Sequence, residues 1–221
     1  MAAGDARLDA VLLGPGLGAG TGSRADEDET WGWLQAFPGL LVLDADGLNR
    51  LAARGGVAWI RSRRGPTWLT PHGQEFQRLF GDLSERPPLE AAGAAAARCQ
   101  AAVLLKGART VVAAPDGRRW QLGQADGRCA RTGLGDVLAG YAAGCGARAL
   151  ATLGAGGAGE GMERAGDLGP SLAPLLAAAA LDHASAGLLA AGHHGRGVTP
   201  MDVARMLKDG EIRTFRNDAM F

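Results

Sequence analysis

One tyrosine and five phenylalanines beside five tryptophans, 5% of 221 residues together, leave few ring faces, which argues against a base-stacking platform for single-stranded nucleic acid. An excess of one charge is missing as well, since 23 basic residues meet 23 acidic ones. That balance argues against a nucleic-acid groove or an anionic membrane surface as the main partner. Cysteine is scarce: Cys99, Cys129 and Cys145 are odd in number and lack metal-ligand spacing. A disulfide framework is therefore not expected, and the cytoplasm is the expected compartment. The longest apolar run, Leu172 to Leu181, gives way to Asp182 and His183 and is too short to span a bilayer. Met1 to Asp9 lacks a basic stretch followed by an apolar core, so no signal peptide is expected there. Neither G-x-x-x-x-G-K-S/T nor G-x-S-x-G occurs, which disfavours a P-loop enzyme and an α/β-hydrolase.

What is present is apolar surface and glycine. With 47% hydrophobic and 21% charged residues the chain can bury one sizeable core. We expect a single domain over residues 1–208 and a polar tail over 209–221. Ala10–Leu13, Leu40–Leu43, Thr67–Thr70 and Val103–Leu105 are continuous apolar runs and read as buried strands. Thr110–Ala113 and Arg119–Leu122 flank Pro115-Asp116-Gly117, which predicts a hairpin. Helices are predicted through Trp31, Trp33 and Leu34, around Phe76–Phe80, over Pro87–Gln100 and over Asp136–Ala149. A long helix carries the stripe Leu172, Leu176, Ala179, His183, Ala186 and Ala190, and Thr199-Pro200 opens a last helix to Leu207. Between them, Gly154–Gly169 reads as a glycine-rich loop. Continuous strands separated by helices mean an α/β architecture, a mostly parallel sheet covered on both faces. Ligands then bind beyond the carboxyl ends of the strands. Gly14–Gly18, Asp44 and Asp46, His72, and Lys106–Thr110 all fall at that edge.

The segment Gly133-Leu134-Gly135-Asp136-Val137-Leu138-Ala139-Gly140 carries the clearest chemistry. A helix start offers unpaired amides and a positive dipole end, and glycines let backbone approach a ligand closely. A carboxylate at the rim of an anion hole is awkward for phosphate binding alone. It fits a base that takes a proton from a hydroxyl while the hole stabilises a transferring phosphoryl group, which is small-molecule kinase chemistry. Lys106, ending a buried strand before a glycine, is placed either to meet a phosphate or to stand in solvent. Gly14–Ala19 matches G-x-G-x-x-A, yet no apolar helix follows, so it reads as a tight glycine turn rather than a dinucleotide fingerprint. Asp44 and Asp46 could hold a divalent ion or cap the next helix. His72 reads as a ligand contact, and His183, on an apolar stripe, as a hydrogen-bonded structural histidine.

In this order the motifs resemble the ADP-dependent NAD(P)H-hydrate dehydratases, a branch of the ribokinase-like superfamily. The matching pieces are Gly14-Pro15-Gly16-Leu17-Gly18, Leu43-Asp44-Ala45-Asp46-Gly47-Leu48-Asn49, Leu69-Thr70-Pro71-His72, Leu105-Lys106-Gly107-Ala108-Arg109-Thr110 and Gly135-Asp136-Val137-Leu138-Ala139-Gly140. The resemblance implies a three-layer αβα ribokinase-like domain, shortened at its N-terminal side by about one strand–helix–strand unit. It implies metabolite repair: the ring hydroxyl of hydrated NADH or NADPH is phosphorylated from ADP, phosphate leaves and the double bond returns. Gly18, His72 and Asp136 would touch the hydrated dinucleotide, with Asp136 catalytic. Lys106, Gly107, Ala108, Arg109 and Thr110, with Gly133 and Gly135, would bind the adenine nucleotide, accompanied by Mg²⁺ through ligands the motifs do not name. A homo-oligomer, up to a tetramer, is also implied. A related vitamin-precursor kinase and a degenerate nucleotide-binding remnant are the alternatives. Two departures stand out: Gly73-Gln74-Glu75 replaces Pro-Gly-Glu, and Leu134 replaces a hydroxyl-bearing residue, which implies weaker nucleotide binding.

Overall fold

A computed structural model of the chain describes residues 8–18, 23–123, 126–155 and 168–209. Six strands form one sheet: β1 (Ala10–Leu13), β2 (Leu40–Leu43), β3 (Thr67–Leu69), β4 (Ala102–Leu105), β5 (Val111–Ala113) and β6 (Arg119–Gln121). They lie side by side in chain order. β1 to β4 run parallel, with Leu43 facing Leu13 on one side and Leu69 on the other. β5 and β6 turn back as an antiparallel pair, the hairpin expected from Pro115-Asp116-Gly117.

Alternation along each strand divides the apolar residues between two layers. Leu41, Leu43, Leu69, Val103 and Val111 point to one face. There they meet α1 (Arg24–Ala36), α2 (Asp46–Ala53), α3 (Val57–Arg61), α4 (Gly73–Phe80) and α5 (Pro88–Cys99) through Trp31, Leu48, Ile60, Phe76 and Ala95. Leu40, Val42, Trp68, Leu104 and Val112 point the other way, against α6 (Leu134–Ala155) and α7 (Leu168–His194). The expected αβα sandwich is thus present, and a smaller cluster joins α7 to α8 (Pro200–Asp209) through Ala186, Ala190 and Val203.

Gly146 lets α6 lie close on the sheet, since a Cβ there would stand 2.2 Å from Leu40 Cδ2 and 3.2 Å from the Trp68 ring. Leu172–Gly197 is long and apolar enough to cross a membrane by length and composition, with mean hydropathy 1.4. Half of that stretch is buried within the fold, because α7 is a core helix.

Some boundaries differ from those read in the sequence. α6 begins at Leu134 and runs to Ala155, so Asp136 lies inside its first turn instead of opening it. Gly133, at φ +91°, makes the turn into the helix. β5 starts at Val111 because the Thr110 hydroxyl donates to the Gly107 carbonyl at 3.2 Å and closes the preceding turn. Gly154 and Leu168–Gly169 are helical, and the middle of the expected glycine loop lies outside the described residues, as does the tail beyond Asp209.

Candidate active site

The carboxyl ends of β1 to β4 converge on a buried carboxylate. Gly14, at φ +140°, follows β1, and a Cβ on it would stand 1.6 Å from the Asp44 carbonyl oxygen. A Cβ on Gly47 would stand 2.3 Å from the Leu13 carbonyl. Only glycine fits at both places, so the two chain segments beyond β1 and β2 pack backbone to backbone. The turn itself closes through Leu17 N–H donating to the Gly14 carbonyl at 3.2 Å, and α1 begins only at Arg24. The tight-turn reading therefore holds over the dinucleotide fingerprint.

Asp44 does not cap α2. The cap position is Ala45, at φ 46° and without a side-chain cap bond. The Asp44 carboxylate is instead 1% exposed and receives Lys106 Nζ on Oδ1 at 2.6 Å. Its Oδ2 is buried and has no partner among the described residues. A buried carboxylate keeps its charge only if paired, and Lys106 supplies that pairing from the end of β4.

His72 follows β3 and bridges to Lys106, whose N–H donates to the Pro71 carbonyl at 2.8 Å. The imidazole also caps α4: Nδ1 accepts from the amides of Gln74 at 3.1 Å and Glu75 at 3.4 Å. Glu75 Oε2 in return accepts the His72 amide at 2.8 Å, completing a capping box. With Nδ1 accepting, the ring proton belongs on Nε2, 3.3 Å from Glu75 Oε1, and the ring remains half exposed at the strand edge.

α6 brings its first turn to the same place. A Cβ on Gly135 would stand 3.3 Å from Lys106 Nζ and 3.9 Å from Asp44 Oδ2. Leu134 N–H donates to the Arg131 carbonyl and Val137 N–H to the Gly133 carbonyl. The Gly135 and Asp136 amides lie between them, in the turn where a helix offers no acceptor of its own. Asp136 is exposed beside them. Gly107, Ala108 and Arg109 form an exposed turn beyond Lys106, with Thr110 half-buried at its end. Gly18, at φ +59°, stands further along the β1 turn, its carbonyl accepting from Arg50 of α2 at 3.2 Å.

The structure thus gathers His72, Lys106, Gly135 and Asp136 at one edge, while Gly18 is held by α2. It adds Asp44 as the partner of Lys106, from 62 residues away. The signal was an acidic residue ending a buried strand, which sequence alone left as cap or ligand.

Asp44 Oδ2 also provides a test for a divalent cation. No group of three or more His, Cys, Asp or Glu capable of holding a metal occurs among the described residues. Mg²⁺ is usually held by one or two carboxylates with phosphate oxygens and water, so a single free carboxylate oxygen beside an anion cradle fits it.

The sequence profile of a family described as NAD(P)H-hydrate dehydratase matches residues 2–209. A bifunctional NAD(P)H-hydrate repair enzyme, Nnr, from Synechocystis sp. is 46% identical over 138 residues, 62% of this chain and 25% of that protein. The Nnr of Thermofilum pendens is 34% identical over 218 residues, 95% of this chain and 36% of that protein. The chain therefore spans between a quarter and 36% of the length of these two relatives. Among solved structures, an ADP/ATP-dependent NAD(P)H-hydrate dehydratase from Bacillus subtilis, co-crystallised with ATP/Mg²⁺, is 26% identical with a TM-score of 0.66. The match covers 95% of this chain and 67% of that one. A ribokinase-like protein of Enterococcus faecalis, 21% identical with a TM-score of 0.68 over 94% of this chain and 63% of that one, shares the fold.

Proposed function

The chain belongs to the NAD(P)H-hydrate dehydratase family, and from that premise we propose that it dehydrates hydrated NADH or NADPH using an adenine nucleotide. The observation that carries this reading is the approach of Lys106 Nζ to the first turn of α6 at Gly135. A cation from one strand end and the amides of a helix start then face the same anion, here the diphosphate of ADP.

Position and the family resemblance together support the following roles. The Gly135 and Asp136 amides and Lys106 take up charge on the transferring phosphoryl group. Asp136 accepts the proton of the ring hydroxyl as its oxygen attacks the β-phosphorus, and AMP departs with the electron pair of the broken P–O bond. In the second stage the C–O bond to phosphate breaks, phosphate takes the pair, and loss of a ring proton restores the double bond. His72 and Gly18 line the dinucleotide side, and Gly133 and Lys106–Thr110 the nucleotide side. Asp44 holds Lys106 through Oδ1 and offers Oδ2 to Mg²⁺, which when bound would neutralise phosphate charge.

The test is to incubate the protein with hydrated NADH, Mg²⁺ and either ADP or ATP, and to follow absorbance of the reduced nicotinamide. Absorbance should return, faster with ADP. Asp136→Asn should slow turnover by about a hundredfold or more while leaving ADP affinity near that of the unchanged protein. A folded sample restoring nothing would sink the dehydratase reading, and a variant keeping most of its rate would remove Asp136 as the base.

A further inference from the structure

The glycine turn beyond β1 is anchored unevenly. At its near end Gly14 packs against the Asp44 carbonyl, and Leu17 N–H donates to the Gly14 carbonyl. Its outer part is open. Leu17 is exposed, and a Cβ on Gly16 or Gly18 would meet nothing within 4 Å among the described residues. Both glycines have positive φ, +75° and +59°, which glycine adopts without steric cost. Left to itself, such a turn has many paths open to it, and a ligand that needs one of them must freeze out the rest.

Arg50 reaches this outer part from α2. Its Nη2 donates to the Gly18 carbonyl at 3.2 Å, and its Nη1 pairs with Glu27 Oε1 of α1 at 3.2 Å. Glu27 in turn receives Arg54 Nη2 on Oε2 at 3.3 Å. One arm of a planar fork is thus fixed against α1 while the other points at the turn. The side chains of Arg50 and Glu27 keep 23% and 32% of their surface in solvent, so their ion pair adds little to stability. Its effect is local: it decides where the Gly18 carbonyl stands.

We propose that Arg50 is a positioning residue for the substrate: by holding the Gly18 carbonyl it keeps the glycine turn in the conformation that receives the hydrated dinucleotide. A turn held this way costs less ordering when that ligand binds. The adenine nucleotide, bound on the Lys106 side, gains nothing from the tether. The inference rests on the dehydratase reading above for the identity of the ligand, while the tether rests on the Arg50 geometry.

Two variants separate tether from charge. Arg50→Met removes the fork, and Arg50→Lys keeps the charge without the second arm. Each should raise KM for hydrated NADH by about tenfold, the scale of one hydrogen bond, and leave kcat and KM for ADP within about twofold. Amide hydrogen exchange over residues 14–18 reads the turn without any ligand and should quicken in both variants. An unmoved KM for hydrated NADH in Arg50→Met would overturn the proposal. So would an Arg50→Lys that matches the unchanged protein, or KM values for both substrates rising together. A protein without turnover would sink the dehydratase reading, and unaltered exchange in Arg50→Met would then overturn the tether by itself.

Discussion

Three glycines at this edge differ in what surrounds them, and that difference decides what each substitution does. Gly14 faces rigid backbone: its Cβ would overlap the Asp44 carbonyl, and its φ of +140° is foreign to other residues. Gly14→Ala should lower stability by at least about 3 kcal/mol, measured by denaturant unfolding. Gly135 faces the end of a side chain, Lys106 Nζ, and not rigid backbone. Gly135→Ala should therefore fold normally yet lose about tenfold in ADP affinity by calorimetry, because the methyl displaces the ammonium from the cradle. Gly133 is constrained by its φ of +91°. A folded Gly14→Ala with unchanged unfolding, or a Gly135→Ala that binds ADP normally, would contradict this division.

At the level of elements, Arg63 shows how irregular segments are fixed. It is buried, and among the described residues it has no acidic partner. Its guanidinium donates to the carbonyls of Leu34, Phe37, Gly39 and Pro66 and to the Thr67 hydroxyl. The end of α1, the turn into β2 and the start of β3 are thereby tied to one side chain. Burial pulls its pKa down to about 10, which leaves it charged at neutrality. Arg63→Met should cost at least about 3 kcal/mol by denaturant unfolding, since several carbonyls lose their donor together. Arg63→Lys should recover little, lacking the planar fork. None of this was legible in the sequence, where Arg63 stands in an unremarkable run of arginines. The strands were legible because β2 is apolar throughout, and α4 because its glycine and phenylalanines follow a strand end. The start of α6 was misplaced by two residues because Leu134 carries no capping signal. The Asp44–Lys106 pair was hidden because sequence gives no strand order, and Asp44 borders a helix that it does not cap.

Across the whole molecule, one half-buried histidine, His183, should shape acid stability. Burial lowers the His183 pKa from 6.5 to about 4, and no charged neighbour contributes to that shift. The unfolded chain binds the proton more readily between those values, so stability is complete above pH 6.5 and falls as the pH drops toward 4. The loss can approach about 3 kcal/mol, at 1.4 kcal/mol per unit. Thermal melting against pH should show this decline, and His183→Asn should flatten it; an unflattened profile would assign the decline to the carboxylates. A last consequence follows from Gly146, which seats α6 on Leu40 and Trp68 without an intervening methyl. A helix seated this closely has little room to shift toward the sheet when a ligand arrives at its head. On the proposed function, the freedom that a looser helix would surrender on encounter is surrendered during folding instead, which favours preorganised groups at the head of α6.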